Sequence, residues 1–222
     1  DPWIGSFSDN LHTRWGRRHP LMLLGAVPLG VCFYAVFTPP GGLSHAQLFL
    51  WLAGFMVLTR IFLAVYFVPL VAIATELSDD YHERTSIMAY RYAIGWLVAL
   101  LFPFTIFTFV MTDSPDYPSG QLNPANYPTM ALIGAVLMSA AALATTLLTW
   151  KQIPYLRQHT VKVALPPVAQ TIAELRRALR NEQFRLIFVI MLISSAIAGT
   201  TANMSIYMMT FFWGLTSDEL RW

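Results

Sequence analysis

Four long stretches of this 222-residue chain contain no aspartate, glutamate, lysine or arginine: residues 21–59, 92–112, 117–150 and 186–217. A helix of about 20 apolar residues crosses the hydrocarbon core of a bilayer, so each stretch is long enough for at least one crossing. Charged residues make up 12% of the chain, whereas soluble chains average about 25%. The chain has too little charge to cover a soluble domain of this size, and we expect most of it to lie in lipid.

The apolar stretches predict an all-α, polytopic membrane helix bundle. Two prolines and two glycines at 39–42 break the first stretch into two spans. Residues 1–8 are typical of the end of a further helix. The predicted spans therefore number five, with part of a sixth, and lie near 21–38, 46–75, 87–112, 128–150 and 184–213.

Basic residues predict the orientation of these helices. Of the 14 lysines and arginines, 11 fall in the alternate connections 9–20, 76–86 and 151–185. The connections 38–45 and 113–127 contain none. Cytoplasmic loops carry an excess of Lys and Arg, so we place the first set in the cytoplasm. The stretch 113–127, rich in Pro, Asn, Ser and Gly, is expected to be an exposed outer loop.

The connection 151–183 contains apolar residues at helical spacing, with arginines between them. This pattern predicts a short amphipathic helix on the inner membrane surface. The helix is either a calmodulin-like or lipid-binding element, or a connector between two bundles whose arginines face anionic headgroups. The residues concerned are Val168, Ile172, Leu175 and Leu179, with Arg176, Arg177 and Arg180.

Composition and motifs exclude several functional classes. The chain contains no phosphate-binding loop, HExxH, GxSxG or CxxC motif, so nothing indicates an enzyme. A net charge of +2 does not indicate a partner nucleic acid. The single cysteine excludes a disulfide framework. The five histidines are assigned to loops, form no metal constellation, and leave us expecting no cofactor or metal site.

Three ionisable residues are predicted to lie inside the membrane, where charges are costly and usually face a cavity or a partner. Asp1 lies about two helical turns, roughly 12 Å, before Asp9 at the cytoplasmic boundary. Arg60 and Arg91 lie within predicted spans. One interpretation is a structural Asp–Arg pair between helices. The other is functional, because a buried carboxylate can bind H⁺ or Na⁺.

Charged residues near the cytoplasmic ends of the helices indicate a conformational switch. The arginines that follow Asp9 can form ion pairs with Asp9 and with the acidic residues of 76–83. Such ion pairs would hold one conformation closed and break in another. Topology determination by positive charge is the alternative role. Gly5 is expected to allow close helix packing. The predicted gating residues are Gly5, Asp9, Arg14, Gly16, Arg17, Arg18, Asp80, Glu83 and Arg84.

Two segments resemble a known transporter family. Residues 1–20, DPWIGSFSDNLHTRWGRRHP, resemble the loop between helices 2 and 3 of major facilitator transporters. They do so in the form of the melibiose-permease-like glycoside–pentoside–hexuronide:cation symporter family. Residues 74–92, ATELSDDYHERTSIMAYRY, resemble that family's segment between helices 4 and 5.

The resemblance implies a major facilitator fold that runs from late helix 2 to just past helix 7. Residues 1–150 then form the N-terminal six-helix bundle without its first helix and most of its second. Residues 151–183 form the central cytoplasmic loop, and 184–222 begin the C-terminal bundle. The missing Met and the abrupt end are expected to mark truncation on both sides.

The resemblance also implies residue roles. Asp1 matches an aspartate of the family's coupling-cation site, and Arg91 matches an arginine that contacts the sugar. Phe67 stands where melibiose permease has an acidic sugar ligand, and phenylalanine cannot accept hydrogen bonds from sugar hydroxyls. We therefore do not expect the substrate to be a melibiose-like galactoside. Apart from the resemblance, four residues within apolar helices either line a central cavity or form packing contacts: Trp96, Asn203, Ser205 and Tyr207.

The predicted function is secondary active symport of a sugar, glycoside or uronide with H⁺ or Na⁺, by alternating access. The protein is expected in the bacterial inner membrane, monomeric when full length, with membrane lipid and a small sugar-like substrate as partners. Two alternatives stay open: a lysolipid or amphiphile transporter of the same family, and a non-transporting membrane scaffold or sensor.

Overall fold

The computed structural model describes residues 2–11, 13, 15–77, 80–112, 114–115, 117, 119–151, 168–215 and 219. Within these residues the fold is helical and contains no β-strand. The α-helices are α1 (Pro2–Asn10), α2 (His19–Phe37), α3 (His45–Glu76), α4 (Tyr81–Phe109), α5 (Tyr127–Leu148), α6 (Val168–Leu179) and α7 (Glu182–Tyr207). Two short 3₁₀ turns, Gly120–Leu122 and Pro124–Asn126, precede α5, and a π-helical turn, Met208–Phe212, follows α7.

Five of these helices are long and apolar enough to span a membrane, which confirms the predicted number of complete spans. The spanning segments are His19–Phe37, His45–Ala74, Tyr81–Phe109, Pro124–Lys151 and Glu182–Ala202. The largest difference is at α4, which begins at Tyr81 and not near 87. The described residues of the first eight are helical, as predicted, and α1 continues to Asn10.

Side-chain caps stabilise the starts of three long helices, α3, α4 and α7. The Ser44 hydroxyl accepts a hydrogen bond from the backbone N–H of Gln47, whose side-chain oxygen in turn accepts from the N–H of Ser44. Asp80 accepts from the first N–H groups of α4, and Asn181 does the same for α7. Since the first N–H groups of a helix lack partners within the helix, such caps stabilise the start.

The helix α2 lies between α3 and α5, and small residues bring it close to both. A Cβ on Gly25 would lie 3.1 Å from the backbone oxygen of Phe62 in α3. A Cβ on Gly30 would overlap the hydroxyl of Ser139 and lie 2.7 Å from the backbone oxygen of Ala135 in α5. Because lipid gives no hydrophobic drive for helix association, close packing of this kind holds membrane helices together.

The centre of the packing lies among these three helices. Its buried residues are Met22, Ala26, Tyr66, Ile73 and Ala142. In contrast, α4 and α7 expose most of their apolar side chains. The amphipathic helix predicted between 151 and 183 is present as α6, next to α7 in the chain.

The two ends of α2 meet opposite ends of its neighbours. At one end, Nε2 of His19 lies 3.2 Å from the hydroxyl of Thr149, and the Trp15 and Trp150 rings lie 5.5 Å apart. At the other end, the indole of Trp51 donates to the backbone oxygen of Ala35 at 2.8 Å. The arginine-rich segment before α2 and the start of the connection after α5 therefore lie at the same end of the group formed by α2, α3 and α5.

The assignment of all histidines to loops was wrong. His19 is the first residue of α2 and is fully buried, because the Trp150 ring and Thr149 pack against it. His45 and His82 lie in the first turns of α3 and α4. Among the described residues, no group of three or more His, Cys, Asp or Glu side chains could hold a metal ion.

Candidate functional site

The structure brings together two of the residues predicted to bind substrate. The guanidinium carbon of Arg91 in α4 lies 5.2 Å from the centre of the Phe67 ring in α3. That distance is within the range of a cation–π interaction, which strengthens when water is excluded. The Phe67 side chain is 45% exposed, so its ring also has surface free to contact a ligand.

The pair lies well inside two membrane spans. Arg91 is ten residues from the start of α4, which places it roughly 15 Å along the helix axis. Phe67 is a similar distance from the end of α3 at Glu76. Tyr66, the neighbour of Phe67, is buried, interacts with Thr145 of α5 and lies within range of the Arg91 charge. Tyr66 was not predicted, although its position beside Phe67 in an apolar span was a usable signal.

The helix α1 packs against α3 next to this pair. A Cβ on Gly5 would lie 3.7 Å from Cγ1 of Val68, an ordinary van der Waals contact. Gly5 therefore lies at a helix contact as predicted, but the distance leaves room for a methyl group. Asp1, the predicted cation ligand, lies outside the described residues, directly before the first residue of α1.

The other candidates for substrate contact do not join the pair in the described structure. Trp96 lies five residues after Arg91, about 140° around α4, and its side chain is 76% exposed. Tyr207 is the last residue of α7, and its ring stacks on that of Phe211. It is also close enough to Tyr127, at the start of α5, for an electrostatic interaction. The Asn203 side chain lies outside the described part of the structure.

Arg60 is exposed near the middle of α3. Among the residues that the structure describes, no hydrogen bond, ion pair or ring contact is found at its guanidinium. An Asp–Arg pair between helices therefore has no described acid at this position. The exposed Arg60 side chain therefore faces the surroundings of α3 in the membrane.

The first predicted gating segment forms a tight turn before α2. Gly16 has a φ of 79°, in the left-handed region that glycine adopts most readily. The Thr13 hydroxyl donates to the backbone oxygen of Gly16 at 2.7 Å and accepts from the N–H of Trp15 at 3.2 Å. Gly16 thus has a backbone role in this turn. Arg14 and the Asp9 side chain lie outside the described residues.

The remaining gating residues have mixed surroundings. Arg18 is buried, and Arg17 is half-buried beside it. Asp80 accepts hydrogen bonds from the N–H groups of His82 and Glu83 at 2.6 and 3.0 Å. These hydrogen bonds cap the start of α4. Glu83 and Arg84 are exposed in the first turn of α4.

A cavity of about 720 Å³ separates α4 from α2 and α5. Its walls are almost entirely apolar and include Phe33, Phe102, Ile133 and Met138. The hydroxyl of Thr105, one of its few polar groups, donates to the backbone oxygen of Leu101 within α4. The cavity can therefore take an apolar guest but offers little hydrogen bonding to a sugar.

Comparison with known proteins identifies the family. The family profile described as MFS/sugar transport protein matches residues 1–222, the whole chain. The chain belongs to this family. The family consists of integral membrane transporters and not of enzymes, which agrees with the membrane spans of this chain.

Individual relatives of this MFS chain are curated as permeases and symporters. A lactose permease of Leuconostoc lactis is 32% identical over 64% of this chain and 23% of the relative. The inner membrane symporter YicJ of Escherichia coli is 23% identical over 96% of this chain and 43% of the relative. An isoprimeverose transporter of Lactiplantibacillus pentosus is 27% identical over 45% and 21%. The chain thus spans about a quarter to two fifths of such relatives, and no solved structure matches it.

Proposed function

We propose that this chain forms part of a secondary active transporter that carries a sugar, glycoside or uronide together with H⁺ or Na⁺. The observation that carries the proposal is the contact between Arg91 and Phe67 inside two membrane spans. A guanidinium supplies five donors in a planar fork, which suits hydroxyl and carboxylate oxygens. The exposed ring of Phe67 supplies an apolar face for a sugar ring. A uronide would use both.

The coupling ion is proposed to bind at Asp1. The helix that starts directly after Asp1 packs on α3 at Val68, one residue from Phe67. We propose that an ion bound to the Asp1 carboxylate influences the binding of substrate at Arg91 and Phe67. A bound cation or proton removes the cost of a charged carboxylate in an apolar region. Coupled transport is supported by the relatives that are named symporters, such as YicJ of Escherichia coli.

The proposed mechanism is alternating access. The basic turn before α2 and the acidic start of α4 provide charges at the cytoplasmic ends of the helices. Ion pairs in this cytoplasmic cluster would stabilise the inward-closed state and break when it opens. Its members are Asp9, Arg14, Arg17 and Arg18. We place the protein in the bacterial inner membrane as a monomer, with no resident cofactor besides the coupling ion and no nucleic-acid partner.

An amphiphile such as a lysolipid is the second candidate substrate. The observation that favours it is the apolar cavity between α4 and α5, together with phenylalanine in place of an acidic ligand at position 67. An acyl chain would fit those walls better than a sugar would.

Uptake by the whole protein in proteoliposomes distinguishes the candidates. The panel contains neutral glycosides, uronides and a lysophospholipid, each offered with an inward Na⁺ gradient, an inward H⁺ gradient or none. We expect gradient-driven accumulation of a glycoside or uronide. Accumulation of lysolipid alone would replace the sugar proposal, and no uptake of any compound would favour a scaffold or sensor.

A further inference from the structure

The helix α6 exposes apolar side chains on one of its faces. At about 100° per residue, Ile172, Leu175 and Leu179 fall within a stripe about 60° wide. The side chains of Ile172 and Leu175 are 60% and 50% exposed. Two exposed apolar side chains on one face of a short helix need a partner surface.

The charges of α6 show what chemistry such a surface would have. Arg176, Arg177 and Arg180 are all exposed. Arg176 and Arg180, four residues apart, flank one edge of the apolar stripe, about 70° and 110° from its centre. Arg177 lies about 170° from it, on the opposite face. The stripe therefore has a cationic border, which fits an apolar layer edged by anions.

The position of α6 in the chain brings it to a membrane surface. Two residues, Arg180 and Asn181, separate it from α7, and Asn181 caps the start of α7. The spanning segment of α7 begins at Glu182. The end of α6 therefore lies within a few residues of the lipid interface, whatever angle it takes.

We infer that α6 is a docking element for anionic lipid. Ile172 and Leu175 enter the acyl-chain boundary, and Arg176 and Arg180 contact phosphate headgroups beside it. Amphipathic helices of this composition lie in the plane of the interface. Each arginine near an anionic surface strengthens partitioning about fivefold. The inference rests on membrane residence alone and does not depend on the proposed substrate.

Site-specific fluorescence in the whole reconstituted protein tests this inference. An environment-sensitive fluorophore is attached to Ile172→Cys on the apolar stripe or to Ala173→Cys on the polar face, in a background without other cysteines. The vesicles contain phosphatidylcholine alone, or phosphatidylcholine with phosphatidylglycerol in equal parts. A nitroxide placed high on the acyl chain reports lipid contact by quenching.

We expect quenching of the probe at 172 in the anionic vesicles, much less at 173, and a loss of quenching at high salt. Arg176→Gln is expected to lower the equilibrium constant for lipid contact about fivefold. Arg177→Gln removes the same charge from the opposite face and should change it far less. Equal effects of the two substitutions would overturn the inference. A probe at 172 that is shielded from water but not quenched would show a protein partner instead, which also overturns it.

Discussion

At the scale of single residues, placing the charge of Arg91 inside a membrane span costs free energy. A guanidinium at the centre of a membrane span costs about 3 kcal/mol on insertion scales. The Phe67 ring at 5.2 Å offsets part of that cost, by up to about 2 kcal/mol when water is excluded. An anionic or hydroxyl-rich ligand would offset more of it. The part of the insertion cost that Phe67 does not offset is the physical reason to place substrate at Arg91.

Substitutions at the pair should separate charge from stacking. Arg91→Ala is expected to reduce substrate affinity by at least about a hundredfold, and Phe67→Leu by about three- to tenfold, because only the ring contact is lost. Equilibrium binding of radiolabelled substrate to the purified protein measures both effects.

The matched control for the ring is Phe49→Leu, an exposed phenylalanine near the other end of α3. It should bind substrate as the unaltered protein does. If Arg91→Ala bound substrate with unchanged affinity, Arg91 would not belong to the site.

The sequence allowed some of these residues to be predicted and not others. Arg91 stands out because few charges interrupt the spans, and Phe67 stands out by comparison with a family motif. Their contact depends on how α3 and α4 align, and periodicity within one helix carries no information on that alignment. The burial of His19 was missed for the same reason: Thr149, its hydrogen-bond partner, is 130 residues away.

At the scale of the helices, small residues determine how closely α2 can pack. Gly30 faces the backbone of Ala135 in α5, and the space for a side chain is already filled. Gly54 in α3 has no atom within 4 Å of where a Cβ would stand. Two glycines within apolar helices therefore have opposite tolerance, which hydropathy alone does not reveal.

Gly30→Ala should destabilise the bundle by about 1–3 kcal/mol, because α2 and α5 must separate to accept the methyl group. Thermal unfolding of the detergent-purified protein measures this as a lower midpoint. Gly54→Ala is the control and should leave the midpoint unchanged or slightly higher, since alanine favours helix. Equal midpoints for the two variants would show that α2 and α5 do not approach as closely as described.

Helix boundaries were less predictable than helix existence. The start of α4 was predicted near 87 because hydropathy rises there, but the helix begins at Tyr81. The Asp80 carboxylate accepts from two of the first N–H groups, and this stabilises polar turns before the apolar part. The cap gives Asp80 a structural role, and its role in gating stays a prediction.

At the scale of the whole molecule, five spans follow from composition, since long charge-free helices have few alternatives in water. Their grouping does not. The helices α2, α3 and α5 pack around shared residues, whereas α4 and α7 leave apolar faces uncovered. The division into bundles at 1–150 and 184–222, with a central loop at 151–183, remains a prediction from the family resemblance. The cytoplasmic orientation of the basic loops remains a prediction from the distribution of Lys and Arg.

Coupling of uptake to an ion gradient tests the central claim most directly. The whole protein and its Asp1→Asn variant are reconstituted in proteoliposomes with the substrate found in the panel. With an inward Na⁺ or H⁺ gradient, we predict that the unaltered protein accumulates substrate above the external concentration. The variant should insert normally but only equilibrate it, because an amide has no negative charge to hold Na⁺ and does not take up a proton near neutral pH. Accumulation by the Asp1→Asn variant, or uptake by the unaltered protein that ignores both gradients, would contradict the account.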